Sequence, residues 1–266
     1  MPRPHDPSEA GEPPLACLLM ARPDPGPAEN APLLATALEA RGWRAVRVTL
    51  DGLRLEAGRV TAPTPGGERV DLAETDLLWP LGFGPRAGFL DRMQLLALAA
   101  RSAPCVNAPE SLVMLHGKYP LAFAAGRFAH PETWASNDPT WLRGRLTALG
   151  ERCVLKPPAS SFGRDVFVVT PDDPNLDAIL TLLTGHDGEC YCLLQRWLPE
   201  VREGEHRVLV AGGRVIASYR RAPAPAAGNL ARGNRAEPAP LSAGQQALAE
   251  AVASDLVTRG IRFAGL

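Results

Sequence analysis

The chain has 266 residues, a formal net charge of −1 and 45% apolar residues, enough for one large domain or two to three small ones around globular cores. Near-neutral charge without a dense basic stripe argues against a nucleic-acid surface, and no apolar run reaches the roughly 20 residues needed to cross a membrane. The five cysteines (Cys17, Cys105, Cys153, Cys190, Cys192) form no C-x-x-C pair and the five histidines show no ligand spacing, so no disulfide framework or zinc site is expected and the protein reads as cytoplasmic.

Residues 1–14 hold five prolines and no apolar segment, and read as a disordered tail, not a signal peptide. Leu15 to Met20 is a first buried strand. Asn30 to Arg41 is helical, with Leu33, Leu34, Ala37 and Leu38 at helix spacing and Gly42 as the stop. Trp43 to Leu50 alternates as a second strand, and strand–helix–strand in this order suggests a parallel α/β unit. Leu53 to Val70 reads as a hairpin or a meandering insert. Asp76 to Trp79 is the next strand, running into the loop Pro80 to Pro85 at a strand's carboxyl end, where open α/β sheets bind ligands. A helix over 89–100 and a strand over 104–107 close this region. Residues 110–129 read as helices broken by Gly117 and Pro120, and Thr140 to Leu149 as a further helix.

The most informative stretch is 151–210. Cys153-Val154-Leu155-Lys156 is an apolar strand ending in a lysine, and Pro157-Pro158 stops it. A cation there either snorkels to solvent or meets an anion. The loop from Pro157 to Gly163 joins it to Val166–Val169 as a hairpin, and a loop holding serines and a glycine can fold its N–H groups around a phosphate. After a helix over 176–184 come the strand Tyr191 to Trp197 and a second hairpin, Val208–Val210 with Arg214–Tyr219. Residues 222–240 show no core pattern and read as a mobile loop, followed by a helix over 243–258 and a strand from Ile261.

From about residue 15 onward the chain resembles bacterial glutathione synthetase, of the ATP-grasp superfamily. The matching pieces, in order, are Val106-Asn107-Ala108-Pro109-Glu110-Ser111-Leu112, Leu155-Lys156-Pro157, Asp173-Pro174-Asn175-Leu176, Tyr191-Cys192-x-x-Gln195-x-x-Leu198-Pro199, Arg207-Val208-Leu209-Val210, Arg221-Ala222-Pro223, Gly228-Asn229-Leu230-Ala231-x-Gly233-x-Arg235 and Glu237-Pro238-x-Pro240-Leu241. The resemblance implies an ATP-grasp fold, α/β then α+β: an N-terminal parallel α/β domain over 15–109, a small ATP-grasp subdomain over 110–190 and a C-terminal subdomain over 191–266.

It also implies an ATP-dependent carboxylate–amine ligase, joining γ-glutamylcysteine and glycine through an acyl phosphate. Lys118 and Lys156 would hold ATP phosphates, with Ser160, Ser161 and Gly163 in the phosphate loop. Gln195, Arg196, Trp197 and Leu198 would be the strand whose backbone meets the adenine edge, and Glu205 would meet the ribose hydroxyls. Arg207 would serve the acyl-phosphate end, and Arg221, Asn229 and Arg235 a closing loop.

The chain departs from the pattern in several places. The phosphate loop, Ala159-Ser160-Ser161-Phe162-Gly163, keeps one glycine where several are usual. Ala227 stands where an arginine precedes Gly-Asn-Leu. The charged substrate-contacting segment is replaced by Trp79-Pro80-Leu81-Gly82-Phe83-Gly84. The family's Mg2+-binding Asp and Glu-x-Asn segment follow the strand matched by Phe263 to Leu266, so Mg2+ ligands are expected beyond Leu266 and no residue here is assigned to metal. Two readings therefore stand: an active ligase on a small amino-acid or peptide substrate, or a degenerate homologue that binds nucleotide or a partner without turnover. A homo-oligomer or a complementing chain at the C-terminal edge are the partner readings left open.

Overall fold

The computed structural model describes residues 12–21, 30–84, 86–124, 126–159, 163–221 and 236–266. The chain divides into two units that part between Val113 and Met114.

In the first unit, β1 (Leu15–Met20) is buried from Ala16 onward. Helix α1 (Asn30–Glu39) leads to β2 (Arg44–Thr49), which runs parallel to β1 from Leu15↔Arg44 to Met20↔Thr49. The meandering insert is a small antiparallel sheet of β3 (Arg54–Glu56), β4 (Arg59–Pro63) and β5 (Arg69–Asp71). Strand β6 (Leu77–Pro80) then pairs with the free side of β1, giving the parallel order β2-β1-β6. A central parallel strand is covered on both faces, which is why β1 is an unbroken apolar run instead of an alternating one.

Helix α2 (Phe89–Ala99) buries Met93, Leu96 and Ala99. Its Arg92 is also buried, and donates to the carbonyls of Phe83 at 3.2 Å and Ala87 at 3.1 Å, tying down the loop after β6. The strand expected over 104–107 is a single parallel bridge, Leu78↔Cys105. Pro104 has no N–H to donate, and Pro109 already opens the next helix, so the ladder has no room to extend.

Helix α3 (Pro109–His116) crosses the division between the units, and α4 (Tyr119–Phe123) follows. Next come β7 (Thr133–Ser136), α5 (Pro139–Leu149), β8 (Cys153–Lys156), β9 (Phe167–Val169), α6 (Leu176–Thr184) and β10 (Cys192–Arg196). The Asp138 carboxylate caps α5 by accepting from the N–H groups of Thr140 and Trp141. The strands form a sheet in the order β7-β10-β8-β9, antiparallel throughout.

Period-two alternation sorts its residues. Cys153, Leu155, Val169, Cys192 and Leu194 turn to one face and pack on Leu142 and Leu146 of α5 and on Leu176, Leu180 and Leu183 of α6. The register places Thr133, Val154, Lys156, Leu193 and Gln195 together on the opposite face. Strand β7 was not expected from the sequence. Because β10 pairs with β8, residues 192–196 belong to this sheet.

The second sheet is built from β11 (Glu205–Ala211), β12 (Arg214–Arg221), β13 (Ala236–Pro238) and β14 (Phe263–Gly265), in the order β13-β12-β11-β14. Helix α7 (Ala243–Thr258) opens on a capping box, Ser242 with Gln245, and lays Ala249 and Ala253 on Val208 and Val210. The register groups Glu205, Arg207 and Leu209 with Arg221, Tyr219 and Ala217 on the other face. The expected coreless loop over 222–240 is corrected at its end, where Ala236–Pro238 pairs with β12 from Arg221↔Ala236 to Tyr219↔Pro238. Main-chain pairing holds these residues although their side chains are exposed, so hydrophobic patterning gave no sign of them.

Candidate nucleotide site

The α5/α6-free face of the first sheet opens into a cavity of about 220 Å3. Lys118, His130, Thr133, Lys156 and Gln195 supply its polar lining, and Leu121, Pro131 and Leu193 its apolar walls. Strand ends bring these groups together: Lys156 is the last residue of β8, Gln195 lies next to the end of β10, and Thr133 opens β7. Lys118 arrives from the turn before α4, in a left-handed conformation with φ +60°, and its ammonium donates to the Pro158 carbonyl at 2.9 Å.

The electrostatics of this cavity ask for an anion. The Lys156 ammonium donates to Gln195 Oε1 at 2.7 Å, a neutral acceptor, and forms no ion pair with a carboxylate among the described residues. Burial, aided by the Lys118 charge, lowers its pKa from 10.5 to about 8. Burial also lowers that of Lys118. His130 is held below its ordinary value chiefly by burial, with the Lys156 charge acting in the same sense and the Pro131 carbonyl opposing. Two lysines that disfavour each other's charge bind a polyanion well, because the anion relieves both penalties.

Gln195 and its backbone neighbours divide their roles. The Gln195 amide nitrogen donates to Thr133 Oγ1 at 2.7 Å. The Arg196 side chain leaves for the opposite face, where it pairs with Glu132 and Glu151 near solvent. Its N–H donates to the Glu132 carbonyl at 3.0 Å, and the Trp197 N–H to the Arg152 carbonyl at 3.3 Å. Leu198 is half exposed at the head of a 3-10 turn (Pro199–Glu203), and its N–H takes no backbone acceptor among the described residues.

On the second sheet the cations are already matched. Glu205 forms an ion pair with Arg221, its cross-strand partner, and lies 3.5 Å from Arg207 Nε. Arg221 is buried, while Arg207 is half exposed. Gly204 permits this geometry: its φ is +98°, and a Cβ there would stand 2.5 Å from the Arg221 carbonyl oxygen. Of the expected phosphate loop, Ala159 and Gly163 are described, the latter at φ +63°. Ser160, Ser161, Asn229 and Arg235 lie outside the described residues.

The cavity thus gathers Lys118, Lys156 and Gln195 from the expected set, and leaves the Arg196 side chain out. Sequence reading missed His130 and Thr133, which sit in a segment given no element. The β-branched and aromatic pair Thr133-Trp134 after a proline was the available signal. Among the described residues no group of three or more His, Cys, Asp or Glu is gathered to hold a metal ion. A larger, shallow depression of about 580 Å3 beside α6, lined by Asp177, Thr181 and His186 among others, has no buried charge facing it.

Comparison with known proteins bears on what this site serves. A family model, the ATP-grasp domain of prokaryotic glutathione synthetase, matches residues 121–266. Glutathione synthetase of Xanthomonas campestris is 35% identical over 255 residues, covering 87% of this chain and 79% of the relative. The Shigella flexneri enzyme is also 35% identical, over 168 residues, covering 60% of this chain and 51% of the relative. Among solved structures, D-cycloserine synthetase DcsG has a TM-score of 0.67 at 16% identity, over 94% of this chain and 83% of that one. A RimK domain ATP-grasp protein from Sphaerobacter thermophilus has a TM-score of 0.65 at 22% identity, over 93% and 82% of the two chains. These two likenesses establish the fold. With the family match over more than half its length and a relative aligned along most of it, the chain belongs to the prokaryotic glutathione synthetase family of ATP-grasp ligases.

Proposed function

We propose that the cavity on the first sheet binds ATP and that the protein is a carboxylate–amine ligase of the glutathione synthetase type. The observation that carries this reading is the convergence of Lys118 and Lys156 on one cavity, with the Lys156 cation facing a neutral amide and no carboxylate. Lys118 and Lys156 would hold phosphate oxygens, and the Leu198 N–H would meet the base. Ser160, Ser161 and Gly163 would complete the phosphate cradle, and Glu205 would accept from the ribose hydroxyls.

In the reaction, a carboxylate oxygen of γ-glutamylcysteine attacks the γ-phosphorus and ADP leaves. The amine of glycine then attacks the acyl carbon of the acyl phosphate, inorganic phosphate leaves, and the amine proton passes to solvent. ATP supplies the phosphoryl group that turns a carboxylate oxygen into a leaving group. Arg207 and Arg221 would stabilise the charge spread over the transferring oxygens, and Asn229 and Arg235 would close over them. The family uses Mg2+ with ATP. The described residues gather no ligand set for it, so no step is assigned to the metal. We place the protein in the cytoplasm. No described helix is long and apolar enough to cross a membrane.

The test is release of ADP and phosphate from ATP and Mg2+ with γ-glutamylcysteine and glycine. Turnover dependent on both γ-glutamylcysteine and glycine is expected. A second reading, nucleotide binding without turnover, is favoured by the commitment of Glu205 to Arg221. Calorimetric ATP binding with no phosphate release under any substrate pair would select it. Absence of both binding and turnover would overturn both.

A further inference from the structure

We propose that Thr133 is a positioning residue that sets the hydrogen-bonding polarity of the cavity. It holds the Gln195 amide with its oxygen toward the ligand, so the site prefers a base edge that donates an N–H, such as the 6-amino group of adenine, over one that presents an oxygen. The inference rests on the nucleotide reading and extends it to a residue outside the expected site.

One group in this chain of contacts cannot reverse. The Pro131 carbonyl is an acceptor only, and Thr133 Oγ1 lies 2.8 Å from it, so the single hydroxyl proton goes there. Toward Gln195 the hydroxyl then offers only lone pairs. The Gln195 side-chain atom at 2.7 Å from it must therefore be the nitrogen. Oε1, at the other end of the same amide, accepts from Lys156 at 2.7 Å and keeps a second lone pair for a ligand donor. The reach is built into the sheet, since Gln195 and Thr133 stand directly opposite each other on β10 and β7.

Lys156 alone would orient the amide only in the empty cavity. When an anion draws the ammonium away, the Thr133 end is the tether that remains. A base edge carrying an oxygen would then face the Gln195 oxygen, and one of two buried acceptors would lose its partner.

The experiment compares ATP with ITP, which differ at the 6-substituent and in the N1 proton that accompanies it. Dissociation constants are measured by calorimetry on the full chain, for the wild type, Thr133→Ser and Thr133→Val. Wild type is expected to favour ATP. Thr133→Val, which deletes the hydroxyl at nearly constant volume, should lower the ITP:ATP ratio of dissociation constants about fivefold. Thr133→Ser should keep the ratio within about twofold.

General loosening of the cavity would weaken both nucleotides alike and leave the ratio unchanged. An unchanged ratio in a folded Thr133→Val protein overturns the inference while leaving the ATP site intact. Wild-type protein that binds neither nucleotide overturns the nucleotide reading and this inference with it. Should Thr133→Val fail to fold, Gln195→Met removes the amide itself and is expected to lower the ratio to the same extent; an unchanged ratio there also overturns the inference.

Discussion

The two sheets of the second unit handle buried positive charge in opposite ways. On the first, Lys156 meets the neutral Gln195 oxygen and its proton affinity falls. On the second, Arg221 is withdrawn further from water but carries its own counterion, Glu205, directly across the strand pair. Both arrangements involve desolvation, yet only the second offsets it within the fold. A cation left without a carboxylate stabilises nothing until an external anion arrives, so it signals binding. A paired one stabilises the empty fold, and must be released before it can serve a ligand.

Removing one cation from each sheet separates these roles. Lys156→Met should weaken ATP binding about 100-fold or more, because a charge-assisted phosphate contact is lost in a cavity largely shielded from water. The same change should raise the melting temperature of the nucleotide-free protein at pH 7, since an uncompensated cation is removed. A variant that binds normally, or melts lower, would break the comparison. Arg221→Met should do the reverse to the free protein. It leaves Glu205 with only the half-exposed Arg207 and should cost about 2 kcal/mol in urea unfolding, less than for a fully buried pair because Glu205 is partly solvated.

pH sharpens the contrast further. The Lys156 pKa lies near 8 in the free fold against 10.5 ordinarily, so between those values the unfolded chain holds the proton that the folded chain has lost. Stability should therefore rise with pH through that window by this group's contribution, and the advantage of Lys156→Met should fade there. Bound polyanion raises the folded pKa again. Nucleotide affinity should accordingly be flat near pH 7 and weaken by up to about tenfold per pH unit above 8. Last and smallest, Arg196→Ala should leave the melting temperature within error and ATP affinity within about twofold, because its pairs with Glu132 and Glu151 lie in solvent on the far side of the sheet.

Much of this was legible beforehand where one local rule sufficed. The unbroken run Leu15–Met20 announced a buried strand, and Cys153–Lys156 announced a strand ending in a lysine; which face that lysine takes followed only from the packing of Cys153 and Leu155 on α5 and α6. Lys118, Lys156 and Gln195 could be grouped beforehand because ordered motifs flank them, and they line one cavity. The strand Thr133–Ser136 was not, since four residues of mixed polarity carry too short a period to stand out, and pairing with β10 is what makes them a strand. Ala236–Pro238 escaped for the same reason.

Sequence alone determined most of the element order, β7 and β13 excepted, and the family, because periodicity and motif order are properties of contiguous residues. Tertiary structure decided which cations were compensated. That depended on register: Glu205 falls opposite Arg221, whereas Lys156 falls opposite Leu193 and reaches Gln195. It likewise decided that Thr133 and Gln195, 62 residues apart, stand side by side with their polarity fixed by the Pro131 carbonyl. Cross-strand neighbours are set by how segments distant in the chain align, and no local pattern encodes that alignment.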